Sequence, residues 1–220
     1  MTERPLLRIT IERHIDASST DDFLGFYHDG FADLLTTSAV EQTVTDEEFR
    51  GYASNPDMIK FVGRDGDRPV ALALVTTNLD LVKWINQAYY EHLYPEHFHR
   101  SAIYYFLTLV VAPDHQDGQF IHAMIEALAL YIGLDKGVIA FDVCQHNIDT
   151  FAVPEMIEVL GKVHVDAECR EIDAQRYFAY QITGIKALDL RDRKDHDVVI
   201  DLADDHRLIQ TTAHSPEGAT

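Results

Sequence analysis

The stretch LVVAPDHQDGQFIHAM, residues 109–124, decides the fold. It opens on an apolar run, stops at Pro113, crosses a polar loop with one glycine, Gly118, and resumes as an apolar pattern. Upstream the run reaches back to residue 101 as SAIYYFLTLVVA, the near-continuous apolar signature of a central strand covered on both faces. Downstream, Phe120, Ile121, Met124, Ile125, Leu128 and Ile132 recur at helical spacing across residues 119–134. A buried strand therefore feeds a buried helix through a polar turn, and the turn needs a reason.

The flanking segments supply the context. LLRITIERHI (6–15) alternates apolar and polar residues and predicts a strand. Ser19 or Thr20 is expected to cap a helix whose apolar face carries Phe23, Phe26, Phe31, Leu34 and Leu35. Thr45 with Glu48 three residues on has capping-box spacing and predicts a second short helix. IKFVGRDGDRPVALALVTTN (59–78) predicts a hairpin, since Asp-Gly is a tight-turn signal between two β-rich runs. Residues 79–100 are an aromatic-rich insert, helical up to a break near Pro95. Beyond the central helix, GVIAFDVCQ (137–145) predicts a buried strand and VPEMIEVLGK (153–162) a helix with Pro154 in its first turn. VHVDAECREI and QRYFAYQIT predict two final antiparallel strands. The order predicts an α+β, or mixed α/β, fold of about seven strands. A single domain is expected over residues 1–185, with a polar extension over 186–220. In that extension DVVIDL (197–202) adds an edge strand or packs on a partner chain, and the tail is disordered.

Composition bounds the function. The net charge is −19, from 18 Lys and Arg against 37 Asp and Glu. Nucleic acid and anionic membrane surfaces are excluded as main partners, because phosphate binding needs a basic face. A cationic amine would be drawn to such a surface. No apolar run approaches the ~18–20 residues of a membrane span, and MTERPLLRIT lacks a signal-peptide core, so a cytoplasmic location is expected. Cys144 and Cys169 read as ordinary thiols. His92, Glu96, His97 and His99 lie close in sequence, but Pro95 interrupts their spacing, and no metal is expected.

The element order resembles that of the GNAT acyltransferase superfamily, a splayed mixed sheet with helices on both faces. Leu109, Val111, Pro113 and Gln116 fall on the family's L-x-V-x-P-x-x-[Arg/Gln] pattern, and Val143 followed by Asn147 matches its next strand and asparagine. The antiparallel pair ending in RYFAYQI is the third match. The resemblance implies acetyl-CoA, or another acyl-CoA, as co-substrate. Its pyrophosphate would rest on backbone N–H groups of the loop and the following helix, and its pantetheine arm would pair with the strand edge. The implied coenzyme A contacts are Leu109, Val110, Val111, Gln116, Asp117, Gly118, Gln119, Phe120, Ile121, Asn147 and Phe151. The chain departs from the family loop at two places: Gln119 and Ile121 stand where small residues are usual, and Gly118 comes one position early. Asp114 and Asp117 add negative charge beside an anion. Pro154 stands where many members carry a tyrosine acid.

For N-acyl transfer, a base must take the amine's proton and an acid must supply the leaving thiolate. His146 and Tyr105 are the catalytic candidates, with His115, Glu91 and Glu96 behind them as bases. Trp84, Tyr89, Tyr90, Glu91 and Tyr104 are the candidate pocket for a small-molecule or peptide amine, since their rings offer apolar surface with polar tips. The alternative is a non-catalytic binding or dimerisation module of the same fold that has lost coenzyme A turnover. A homodimer is the default for the fold class.

Overall fold

The computed structural model describes residues 7–39, 43–116, 118–179, 181, 196–201 and 207–213. The chain divides into two compact units, Met1–Ala174 and Gln175–Thr220.

The first unit is built on a five-stranded sheet in the order β1-β2-β3-β4-β5. Its strands are β1 (Leu7–Glu12), β2 (Met58–Asp65), β3 (Arg68–Thr76), β4 (Ile103–Val111) and β5 (Val138–Ala140). β1 to β4 are antiparallel neighbours, and β5 alone runs parallel to β4. The β2–β3 hairpin forms where Asp-Gly predicts it, with Gly66 in the left-handed region that the turn requires.

Helix α1 (Ala17–Phe31) is followed by the single turn α2 (Leu34–Thr37) and by α3 (Asp46–Ser54). The capping box at Thr45 and Glu48 is complete: each side chain reaches the other's backbone N–H. The expected cap of α1 is corrected. Asp16, not Ser19 or Thr20, is the N-cap, because its carboxylate accepts from the Ser19 backbone and from the Ser18 and Ser19 hydroxyls. The insert folds as α4 (Gln87–Leu93) and α5 (Pro95–His99), broken at Pro95 as expected. α6 (Gln119–Leu134) follows the polar loop.

These helices cover the two faces. On one, Phe120, Met124, Leu128 and Ile132 of α6 pack on Phe61, Ala71, Val75, Tyr104 and Val111. On the other, Phe23, Leu24 and Tyr27 of α1 and Phe49 of α3 pack on Met58, Val62, Leu72, Leu74 and Val110. A third cluster ties Leu79, Val82 and Tyr90 of the insert to Ile103 and Tyr105 at the start of β4. Among the described residues, no helix is long and apolar enough to cross a membrane.

After β4 the expectations need two further corrections. β5 is only three residues long, and residues 141–144 leave the sheet. The chain then forms α7 (Gln145–Phe151) and α8 (Val153–Gly161), with Ala152 in the left-handed region between them. The last strands expected over VHVDAECREI and QRYFAYQIT are absent from the described part of those segments, which runs without a ladder partner. Asp166, Glu168 and Glu171 give the first of these segments low strand propensity, and most of it is exposed. In the second unit, β6 (His196–Asp201) pairs antiparallel with β7 (Arg207–Ala213). The strand expected at 197–202 is therefore one arm of a hairpin. Of the tail expected to be disordered, TTAHSPEGAT (211–220), Thr211–Ala213 instead pair with β6 as the end of β7, and the rest lies outside the described residues.

Candidate functional site

β4 is the spine of the site. Its parallel pairing with β5 spans only Ile103–Tyr105 against Val138–Ala140. Beyond Tyr105 the two strands fork, and the edge of β4 from Phe106 to Val111 that β5 would have covered is left without a strand partner among the described residues. On its other edge β4 pairs with β3 through a bulge at Leu107, the residue skipped between the Leu74–Thr108 and Val75–Phe106 pairs. The bulge shifts the alternation. Tyr105 and Leu107 before it, and Thr108 and Val110 after it, all serve the α1 face, whereas Tyr104, Leu109 and Val111 serve the α6 face.

The open edge runs into the loop. Pro113–His115 form a 3-10 turn, and Gly118 precedes α6 with φ +91°. The backbone N–H groups of Phe120 and Ile121 lie in the first α6 turn, where no intrahelical acceptor exists. Ile121 packs against the core, so its bulk is turned away from the loop. Asp114 is turned away too. Its carboxylate takes the Arg68 guanidinium at 2.7 Å and the His115 ring at 2.9 Å, which hold its pKa down at about 2. His115 bridges on to Asp65 at 3.2 Å and stacks edge-on to Phe120. Its pKa is raised, first by the bond to Asp114 and then by Asp65, against the opposing effect of burial. Gln116 donates its side-chain amide to the Val111 carbonyl at 3.3 Å. Asp117 lies outside the described residues. The described part of the loop thus has a left-handed glycine before a helix N-terminus, an arrangement that could hold an anion, and an Asp114 carboxylate that is already paired.

At the fork, three side chains meet. Tyr105 is buried and donates its hydroxyl to Asp142 Oδ1, two residues past the end of β5. The Trp84 indole N–H reaches the same oxygen at 3.1 Å and the Tyr105 hydroxyl at 3.3 Å. Burial, then the Asp142 charge, pushes the Tyr105 pKa far above the ordinary tyrosine value. Tyr90 stands edge-on to Tyr105 at 6.3 Å. Of the sequence-derived candidates, Trp84, Tyr90 and Tyr105 are therefore brought together. Tyr89 instead donates to the Ile172 carbonyl at 2.6 Å. Glu91 faces His99 at the surface. Tyr104 points to the other sheet face, where it donates to Asp135 at 3.0 Å and burial pushes its pKa up to about 12. His146, Asn147 and Phe151 lie on α7, with His146 edge-on to an exposed Phe151.

Sequence reasoning missed Asp142 and Thr108. Asp142 could have been found, since it is a lone charge inside the apolar run GVIAFDVC. Thr108 has a buried hydroxyl with no hydrogen-bond partner among the described residues, beside the bulge. A cavity of about 340 Å³ opens at the far end of the sheet, near Arg13, Asp57, Asp80 and Gln87. Its carboxylates are already engaged, Asp80 by Gln87 and Asp57 by Asn78, and it reaches β4 only at Ile103, where β4 is still paired with β5.

No protein-family model matches the chain, and no curated protein does. Solved structures do. A possible acetyltransferase from Clostridium difficile 630 superposes with a TM-score of 0.51 at 13% identity, covering 80% of this chain and 99% of that one. The aminoglycoside 6'-N-acetyltransferase AAC(6')-Ih from Acinetobacter baumannii follows with 0.46, 15% identity, 80% and 99% coverage. The aminoglycoside N-acetyltransferase AAC(6')-Iy in complex with CoA gives 0.46, 13% identity, 81% and 99% coverage. At such identities the likeness is one of architecture: this chain shares the fold of that possible acetyltransferase, a mixed sheet with helices on both faces, as the GNAT resemblance leads one to expect.

Proposed function

We propose that the protein is an N-acyltransferase that moves an acyl group, most simply acetyl, from coenzyme A to the amine of a small molecule or peptide. The observation that carries this reading is the open β4 edge that leads into the Gly118 turn and the α6 N-terminus. Leu109, Val110 and Val111 would pair with the amides of the pantetheine arm. Gln116, Asp117 and Gly118, with Gln119, Phe120 and Ile121 of the first α6 turn, would frame the pyrophosphate. Asn147 and Phe151 on α7 would border the arm from the β5 side.

The donor's thioester then lies near the fork. The amine nitrogen attacks the carbonyl carbon, the C–N bond forms and the C–S bond breaks. An ammonium substrate gives up two protons in all, one to the departing thiolate and one to solvent. Because the thioester is already reactive, positioning supplies much of the rate. Tyr105 has its hydroxyl bound to a carboxylate and its pKa raised, so it is a poor proton donor and serves better to position Asp142. His146 is left as the candidate for proton exchange with solvent.

A second reading, a module of this fold without turnover, draws support from Pro154 in the usual tyrosine position and from the Gln116 amide on the Val111 carbonyl. Calorimetric titration with acetyl-CoA separates the two. Micromolar binding, followed by amine-dependent release of free thiol, supports the transferase. A folded protein with no heat of binding overturns it in favour of the module.

A further inference from the structure

Asp142 is held in an unusual way. Both donors that reach it, the Trp84 indole N–H and the Tyr105 hydroxyl, end on Oδ1. Among the described residues, no hydrogen bond reaches Oδ2 and no Lys, Arg or His pairs with the carboxylate. Asp142 is exposed, and two neutral donors on one oxygen fix the direction of its carboxylate without cancelling its charge, so the second oxygen is oriented and open to a further donor.

The surroundings share this charge deficit. The Tyr90 pKa is raised first by burial and then by Asp142, with Asp173 also contributing. Trp84 is 53% exposed although it stands edge-on to Tyr105 at 6.2 Å. An indole left half open beside an uncompensated carboxylate gains little from burial. It offers a face on which a cation is attracted by the ring quadrupole. An anion would be repelled by Asp142, and a neutral apolar group would strand its oxygen.

We infer that Asp142, Trp84 and Tyr105 form a seat for a primary alkylammonium group, with N–H donated to the carboxylate and the alkyl chain laid on the indole. This deepens the transferase reading and rests on it for its chemical meaning, since the seat lies where β4 and β5 part and the acyl end of a donor would arrive. It would select the acceptor by its cationic end. The sequence holds a single tryptophan, so the fluorescence of Trp84 reports on this position alone.

The test is titration of the intact protein with n-butylammonium at low salt, without coenzyme A, read by tryptophan fluorescence. The expected result is a saturable change that Asp142→Asn weakens by about tenfold, the equivalent of ~1.4 kcal/mol. Tyr105→Phe, which frees the carboxylate without removing it, should weaken binding by a smaller factor, and it serves as the variant if Asp142→Asn does not fold. No saturable change, or equal affinity in a folded variant, overturns the seat. Parallel calorimetry with acetyl-CoA keeps the two proposals separate. Amine binding without acetyl-CoA binding would sustain the seat and sink the transferase, and the reverse would do the opposite.

Discussion

His115 sits between two carboxylates, and its protonation state holds the loop to the β2–β3 turn. Its folded pKa is raised, so the stability it contributes is fully present below pH about 6.5, the ordinary histidine value, and is lost as pH climbs through the raised one. A proton NMR titration should place its midpoint above that value, and Asp114→Asn should bring it down. Lys60 behaves in the opposite sense. Its ammonium is buried in β2 and donates to the carbonyls of Arg13 and Asn55. Burial, with the nearby Arg13 charge, lowers its pKa to about 8. The folded state then sheds a proton before the unfolded one, so the protein should gain stability relative to Lys60→Met as pH rises from 8 toward 10.5. Melting curves of both proteins across that range would check it, and a constant difference would contradict it. Little of this was legible in the sequence. A lysine in a strand pattern reads as a solvent-facing residue, and only the fold shows that the Lys60 side chain ends on two carbonyls.

Among the elements, those fixed by local chemistry were legible. The Thr45–Glu48 box, the Asp-Gly hairpin, the break at Pro95 and α6 all follow from short-range rules. The short β5 and the helix α7 did not, because FDVCQ is apolar enough for a strand and its departure is decided by the fork. Two glycines give predictions at this scale. Gly118→Val forces a branched side chain into a left-handed position, at a cost of about 1–2 kcal/mol, although a Cβ there would meet only the His122 ring, at 3.9 Å. The variant should stay folded in circular dichroism and lose affinity for acetyl-CoA. Gly63 is the reverse case, with ordinary backbone and no room: a Cβ would lie 2.9 Å from Ala71 Cβ and 3.1 Å from Phe120. Gly63→Ala should cost about 1–3 kcal/mol in chemical denaturation, because the β3 backbone at Ala71 must give way first and the Phe120 ring after it.

Across the whole molecule, the charge of −19 predicts a kinetic signature. Cationic acceptors should associate faster at low ionic strength, and the rate should fall as salt shortens the reach of the field. Stopped-flow mixing with a fluorescent diamine would measure it, and a salt-independent rate would remove steering from the account. The site was only half legible at this scale. Trp84, Tyr90 and Tyr105 were singled out from composition, but their meeting with Asp142 joins the insert, β4 and the segment after β5, a junction no local pattern encodes. The alternation in YYFLTL left undecided which tyrosine faces inward, because Leu107 is an extra residue in the ladder. That residue works like a shim. Remove it, and every other β4 side chain keeps its face and its β3 partner, so the sheet should still assemble. What would go is the local bend and the extra twist that a bulge gives its strand, so a chain one residue shorter, equally well folded, would show how far the open β4 edge depends on that twist.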